Sequence, residues 1–203
     1  MSTTRLESFS DGVFAVAITL LVLGIDVPHV QPHHSLGHAL VRNWPQYAAY
    51  VVSFLTIGII WINHHAMIGR LRAADHTILI VNLLLLMTIA VLPFVTNLVA
   101  AYLRHPEGRS LAAVVYAGAY LLMAVMFSLL NGCILLRRTN LLHDALPLAR
   151  RRQIFNRAAS GTLPYVVAVG VAFASAYASL AICAAIAVFY TLPIASGYES
   201  ASG

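Results

Sequence analysis

Long apolar stretches separated by short polar segments run along most of the chain. These stretches predict membrane-spanning helices, because they are continuously apolar rather than alternating and because an open strand leaves its backbone groups unsatisfied in lipid. We place six spans at residues 9–27, 46–69, 77–101, 110–136, 160–176 and 179–195, with the last turn near residues 175–179. The chain is therefore predicted to be an all-α integral membrane protein with one transmembrane domain, residues 1–203.

The first predicted span has polar residues at both ends. Its uninterrupted apolar part, residues 13–25, is roughly 20 Å long as a helix, which is shorter than the roughly 30 Å hydrocarbon core. Ser10 and Asp11 precede this part, and Asp26 follows it. Because a carboxylate in mid-membrane costs roughly 2.5–3.5 kcal/mol on insertion scales, we expect both aspartates to face protein or water.

Helical periodicity gives this first span two opposite faces. One face carries Val16, Leu20 and Leu23, with Thr19 beside them. The opposite face carries Ala15, Ile18, Val22 and Ile25. Because both faces are apolar, periodicity alone does not decide which of them meets lipid.

The composition excludes a soluble domain. Hydrophobic residues make up 60% of the chain and charged residues 9%, whereas a typical soluble domain is about 25% charged. All 12 basic residues are arginine and the net charge is +5, which we interpret as a determinant of membrane topology rather than as a nucleic-acid surface. Cys133 and Cys183 both lie within apolar spans, so neither a disulfide framework nor a zinc site is supported.

The arginines predict the orientation of the chain. With six spans and a cytoplasmic N terminus, three arginines face outside: Arg42, Arg104 and Arg109. The nine that face inside are Arg5, Arg70, Arg72, Arg137, Arg138, Arg150, Arg151, Arg152 and Arg157. The positive-inside rule therefore favours a chain with both termini in the cytoplasm. The run at residues 150–152 is interpreted as a cytoplasmic anchor near anionic lipid, not as a voltage sensor.

Two motifs suggest a family. The first stands at the start of the first span and reads Arg5-x-x-x-Phe9-Ser10-Asp11. The second lies near the end of the second span and consists of Trp61, Asn63, His64 and His65. With these motifs and six predicted spans, the chain resembles the lysosomal potassium channel family, transmembrane protein 175, in its single-repeat prokaryotic form.

The resemblance implies an assembly and an ion pathway. It implies a homotetrameric channel, not domain-swapped, in which the first helix of each subunit lines a central pathway for potassium ions. Its partners are then potassium ions and membrane lipid, without a cofactor, a bound metal or nucleic acid. Phe-Ser-Asp occurs once in this chain, whereas two-repeat animal members carry it twice. One chain therefore supplies one pore helix, and the pore must be built by oligomerisation.

The resemblance also implies where the pathway is narrowest. Matched by distance from the motif, the constriction rings are Val16, Leu20 and Leu23, with Thr19 adjacent. A narrow apolar ring makes an ion lose hydration, which costs less for potassium than for sodium, and it can close the pathway by dewetting. The chain has no Thr-Val-Gly-Tyr-Gly loop, so a carbonyl filter is not expected. In the family the narrowest ring is often isoleucine, and Val16 is one methylene smaller.

In the family the four residues of the first motif do not touch the ion but tie the inner end of the first helix to the next two helices. Five residues of this chain are predicted to lie at the matching depth: Trp61, Asn63, His64, His65 and Asn82. We therefore predict a polar cluster in which a histidine and the asparagines bond Ser10, Asp11 or Arg5. Which histidine takes part stays open. The alternative to a cluster is that these are ordinary polar and aromatic side chains at the membrane interface.

The polar segment after the first span contains Asp26 and four histidines: His29, His33, His34 and His38. Their spacing raises the possibility of a metal site. The segment has two prolines and no second carboxylate, so we favour a cation-attracting or pH-responsive outer vestibule in which Asp26 is the charge nearest the pore axis.

The leading functional hypothesis is a potassium-permeable cation leak channel in the plasma membrane. The alternative is a proton-coupled secondary transporter that uses Asp11, Asp26 and the histidines. That class favours an inverted repeat and paired broken helices, and the sequence has neither. An enzyme is not expected, because the histidines divide between the two ends of the helices.

Overall fold

The computed structural model describes residues 3–28, 35–144 and 146–191, and it confirms the all-α prediction. Eight α-helices lie in these ranges: α1 Thr3–Val22, α2 Leu36–Arg42, α3 Trp44–Ile68, α4 His76–Tyr102, α5 Arg109–Gly132, α6 Leu148–Ser160, α7 Leu163–Ala172 and α8 Ala176–Thr191. A π-helical turn, Cys133–Arg137, extends α5, and a short 3₁₀ turn, Thr139–Leu141, follows it.

Among the described residues, three helices are long and apolar enough to cross a membrane: Trp44–Ile68, His76–Tyr102 and α5 with its π-helical extension, Arg109–Arg137. The chain is therefore a membrane protein with several apolar helices. The last two predicted spans correspond to shorter helices, α7 with 10 residues and α8 with 16, which pack against each other. The turn between them lies at residues 173–175, slightly before its predicted place. Six membrane crossings therefore remain a prediction.

The first helix begins and ends earlier than the predicted span 9–27. It starts at Thr3, and after Val22 the backbone forms tight turns in which the Gly24 N–H donates to the Leu21 carbonyl at 3.2 Å. A Cβ atom on Gly24 would lie 1.7 Å from Oδ1 of Asn97. The chain just after the C-terminal end of α1 is therefore in direct contact with α4, which apolar periodicity does not predict.

The core of the chain forms around α4, which packs against α1, α3 and α5. α5 in turn contacts α6, α7 and α8. The start of α4 is set by Asp75, whose carboxylate accepts the Ile78 N–H at 2.9 Å and also pairs with Arg138 at 2.8 Å. This arrangement connects the first turn of α4 to the end of the π-helical turn.

Two helices lie in segments for which no helix was predicted. α2 follows Ser35, whose side chain accepts the His38 N–H. α6 occupies the arginine-rich segment before α7 and is amphipathic, with Phe155 pressed against Gly132 of α5. A Cβ atom on Gly132 would come within 2.9 Å of the Phe155 ring. Because the mean hydropathy of α6 is low, a search for apolar stretches does not find this helix.

Candidate functional site

α1 presents two different faces, one buried in the chain and one exposed. Its buried face consists of side chains three or four residues apart: Leu6, Ser10, Phe14, Ala17 and Leu21. The predicted ring residues lie on the other side, where Val16 is 57% exposed, Leu20 is 43% exposed and Leu23 is 77% exposed. These three side chains are therefore available to lipid, to another subunit or to an ion pathway.

Thr19 is exposed on the same side of α1 as the predicted ring residues. Its hydroxyl hydrogen points at backbone carbonyls of its own helix, that of Ala15 at 3.0 Å and that of Val16 at 2.9 Å. Because the hydrogen is used within the helix, the lone pairs of Oγ1 remain available to accept a hydrogen bond or to contact a cation.

A buried chain of hydrogen bonds joins the N-terminal half of α1 to α4 and α3. Nδ2 of Asn82 donates to Oγ of Ser10 at 3.1 Å, and the Ser10 hydroxyl donates to the Leu6 carbonyl at 2.8 Å. Oδ1 of Asn82 lies 2.7 Å from Nε2 of His64. Since Oδ1 can only accept, the network assigns a hydrogen to Nε2 of His64. Nδ1 of His64 is buried without a partner among the described residues.

A second, more exposed pair of contacts joins α1 to α3. Nε1 of Trp61 donates to Oδ1 of Asp11 at 2.8 Å, and Nδ1 of His65 lies 3.2 Å from a Glu7 oxygen. Glu7 and Asp11 are four residues apart, as are Trp61 and His65, so one turn of α1 faces one turn of α3. Sequence reasoning missed Glu7 as a contact, although this matched spacing was a signal for it.

Three predicted members of the cluster stand apart from it. Nδ2 of Asn63 donates to the Ile59 carbonyl of its own helix at 2.8 Å. Phe9 is 55% exposed. Arg5 is exposed and forms no hydrogen bond or ion pair within residues 3–28, 35–144 and 146–191. Of the four motif residues, Ser10 and Asp11 therefore make the hydrogen bonds of α1 with α4 and α3.

At the other end of α1, Asp26 is held by Gln46 of α3. Nε2 of Gln46 donates to Oδ2 of Asp26 at 3.0 Å, and the Asp26 N–H donates to Oε1 of Gln46 at 3.1 Å. Nδ2 of Asn43 lies 3.5 Å from the Asp26 carbonyl. These residues line an open cavity of about 450 Å³ together with Val27 and Pro28. Gln46 was not identified from the sequence, because only the fold brings it to Asp26.

One of the four histidines that follow the first predicted span lies among the described residues. His29, His33 and His34 lie outside the described residues, and His38 lies in the first turns of α2. Among the described residues, no group of three or more histidine, cysteine, aspartate or glutamate side chains is placed to hold a metal ion.

These features define a class: an all-α membrane protein whose first helix is joined to its neighbours along one side and exposes an apolar face on the other. The sequence model for the endosomal/lysosomal potassium channel TMEM175 matches residues 5–93. The matched segment contains both of the motifs identified in the sequence.

Longer matches extend the similarity to nearly the whole chain. It is 45% identical over 189 residues to a potassium channel from Streptomyces collinus, covering 92% of this chain and 90% of that one. It is 37% identical over 197 residues to a potassium channel from Chamaesiphon minutus, covering 94% of each chain. The chain belongs to the TMEM175 family.

The fold agrees with this assignment. The structure matches the crystal structure of a lysosomal potassium-selective channel TMEM175 homologue from Chamaesiphon minutus with a TM-score of 0.82 and 36% identity. The match covers 93% of this chain and 96% of that chain. The family resemblance is confirmed, and the family and these relatives are ion channels rather than enzymes.

Proposed function

We propose that this chain is the subunit of a potassium-permeable cation channel, a homotetramer in which four copies of α1 surround the ion pathway. The observation that carries the proposal is the exposed apolar face of α1, because its other face is already packed against the subunit. The names of the relatives from Streptomyces collinus and Chamaesiphon minutus support potassium as the ion. The proposed channel needs no cofactor.

In this proposal Val16, Leu20 and Leu23 form successive apolar rings around the axis. An ion passing a narrow ring must lose part of its hydration shell, and potassium holds its shell less tightly than sodium. Thr19 is next to Leu20 and about one turn from Val16 and Leu23, and its lone pairs would replace part of the lost water. The same apolar rings would close the pathway when water leaves it.

The inner hydrogen-bond network has a mechanical role in this proposal. The width of each ring depends on how far α1 lies from the axis, so a helix that moves by a fraction of an ångström changes the barrier. Ser10 and Asn82 hold α1 against α4 through buried hydrogen bonds, and Asp11 holds it against α3 through Trp61. We propose that these contacts keep the radius of the constriction constant.

The distribution of arginines supports an orientation for the proposed pathway. We propose that the chain lies in the plasma membrane with both termini in the cytoplasm, because nine arginines are then inside and three outside. Asp26 then lies at the outer mouth, where four copies of a carboxylate raise the local concentration of cations. Gln46 orients that carboxylate toward the cavity.

The test is single-channel recording of the purified protein in planar bilayers under opposed potassium and sodium gradients. Wild type is expected to open in discrete steps and to reverse on the potassium side. Val16→Asn and Leu20→Asn should lose selectivity, because a polar ring lets sodium pass with its water. The matched control is Val22→Asn, which makes the same change at another exposed position of α1 and should keep selectivity.

Two results would count against the proposal. Unchanged selectivity in both ring variants would remove α1 as the selectivity element. No current in the bilayer, together with saturable and stoichiometric uptake into liposomes, would identify a transporter instead of a channel.

A further inference from the structure

The cavity beside Asp26 combines one carboxylate, two side-chain amides and two apolar side chains. Its volume is about 450 Å³, and its lining residues are Asp26, Val27, Pro28, Asn43 and Gln46. Among the described residues, none that lines this cavity is basic. A cavity of this size accommodates a small organic molecule and not only a bare ion.

Gln46 holds the Asp26 carboxylate by one of its two oxygens. Nε2 of Gln46 donates to Oδ2 of Asp26 at 3.0 Å, and Oε1 of Gln46 accepts the Asp26 N–H at 3.1 Å. In the part of the chain that the structure describes, Oδ1 of Asp26 accepts no hydrogen bond and pairs with no arginine or histidine. Because Asp26 is exposed, this oxygen is available to a ligand.

Asn43 supplies a second acceptor in the same cavity. Its Nδ2 lies 3.5 Å from the Asp26 carbonyl, which can only accept, so Oδ1 is the other atom of the amide. Within the described ranges, Oδ1 of Asn43 has no hydrogen-bond partner. The Asn43 carbonyl accepts the Gln46 N–H at 3.0 Å, so the start of α3 holds this amide close to the residue that fixes the carboxylate.

This set of groups indicates the chemical class of the ligand. A protein site for Ca²⁺ typically supplies about six to eight oxygen ligands, several of them carboxylates. Only one carboxylate lines this cavity among the described residues, which does not favour a divalent metal ion. A primary ammonium carries a single charge and several N–H donors, which match one carboxylate and a neighbouring amide oxygen. The apolar surfaces of Val27 and Pro28 match an alkyl chain attached to that ammonium.

We propose that this cavity binds the ammonium group of an aliphatic amine. The ammonium donates to Oδ1 of Asp26 and to Oδ1 of Asn43, while the alkyl chain lies along Val27 and Pro28. The bond to the carboxylate is charge-assisted and is about twice as strong as a neutral hydrogen bond. The binding rests on the contacts around Asp26. Its consequence rests on the proposed function, since a bound amine would neutralise Asp26 at the proposed outer mouth and lower the entry of potassium ions.

The experiment is ligand-observed nuclear magnetic resonance of the full-length protein in micelles, in which saturation transfer measures the binding of n-butylammonium at constant ionic strength. Asp26→Asn keeps the shape of the side chain but removes its charge, and should weaken binding about tenfold. Asn43→Ala removes one neutral acceptor and should weaken binding about threefold. Tetramethylammonium has the same composition and charge as n-butylammonium but no N–H donor, so wild type should bind it more weakly.

The matched control is Glu107→Gln, which removes another exposed carboxylate and should bind n-butylammonium as wild type does. Glu107 lies at the same end of the molecule, because Arg104, in the same turn, donates to the Arg42 carbonyl next to Asn43. An equal loss in Glu107→Gln would overturn the proposal, since binding would then follow net charge alone.

Two further results would overturn the proposal. Equal binding of tetramethylammonium and n-butylammonium would show that N–H donors are not recognised. Complete displacement of n-butylammonium by an equal concentration of Ca²⁺ at constant ionic strength would identify a divalent cation as the ligand instead. Binding is measured without ion flux, so failure here leaves the channel proposal to its own test.

Discussion

Gly24, just after α1, and Asn97, in α4, are in direct contact, so close that a Cβ atom on Gly24 would lie 1.7 Å from the Asn97 oxygen. The Asn97 side chain occupies the space that any larger residue at position 24 requires. This contact lies just beyond the C-terminal end of α1, whereas the buried hydrogen bonds of Ser10 and Asn82 lie in its N-terminal half. α1 is therefore attached to α4 near both of its ends.

The first prediction concerns this contact. Gly24→Ala should destabilise the protein by about 1–3 kcal/mol, because Asn97 or the end of α1 must move to admit the methyl group. Equilibrium unfolding in mixed micelles, followed by circular dichroism, measures the loss. Gly118→Ala in α5 is the control, since a Cβ atom there meets nothing within 4 Å. The double variant with Asn97→Ala should recover stability; no recovery would mean that Asn97 is not the obstacle.

The second prediction concerns the buried hydrogen bonds in the N-terminal half of α1. Asn82→Ala removes the partner of Nε2 of His64 and the donor to Ser10. Leaving a buried polar group without a partner costs about 1–3 kcal/mol, so the variant should unfold correspondingly earlier in the same assay. Asn63→Ala is the control, because Asn63 is exposed and bonds its own helix, and it should stay within about 0.5 kcal/mol of wild type. Equal losses in the two variants would contradict the assignment.

The third prediction concerns a hydroxyl cluster in the centre of the subunit. Oγ of Ser53 lies 2.8 Å from Oγ1 of Thr96 and 3.1 Å from the hydroxyl of Tyr116, and all three residues are buried. Ser53→Ala should cost about 1–3 kcal/mol, since two hydroxyls lose a partner in an apolar surrounding. Ser160→Ala removes an exposed hydroxyl that bonds its own helix at 3.0 Å, and it should have little effect. A neutral Ser53→Ala would contradict this prediction and show that the bond from the Thr96 hydroxyl to the Leu92 carbonyl at 2.7 Å satisfies Thr96 without Ser53.

Much of this organisation could be predicted from the sequence. The apolar stretches predict an all-α membrane protein, and the motif around Ser10 and Asp11 identifies the family. The buried face of α1, which includes Phe14, Ala17 and Leu21, is neither of the two faces assigned from periodicity. Ala15 and Val22 of the second assigned face are exposed, so periodicity alone does not choose the buried side. That choice depends on α4 packing against one side of α1, which is a tertiary contact.

The remaining features depend on contacts between segments far apart in the chain. The partner of Asp26 is Gln46, and the histidine bonded to Asn82 is His64 rather than its neighbour. Both assignments follow from how α3 is rotated against its neighbours, and adjacent residues on a helix point about 100° apart. α6 was missed for another reason: its stability comes from one side packed under α5, and its composition resembles a polar loop.

The last prediction concerns the outer end of the proposed pathway. If four copies of Asp26 attract cations, Asp26→Asn should lower the unitary potassium conductance in dilute salt. The difference from wild type should shrink at about 1 M salt, where the screening length falls from about 10 Å at 0.1 M to about 3 Å. Gln46→Leu keeps the Asp26 carboxylate but removes the side chain that bonds it. The conductance of this variant should therefore fall by less than that of Asp26→Asn.

The matched control for this last experiment is Asp144→Asn, which removes one exposed carboxylate per subunit elsewhere in the chain. In the proposed orientation Asp144 is cytoplasmic, so the variant should leave inward potassium current from the outer side unchanged. A conductance that falls equally in Asp144→Asn would show that net charge, not the position of Asp26, controls the current. A deficit in Asp26→Asn that persists at high salt would show that the side chain shapes the pathway sterically, because a purely electrostatic effect must be screened.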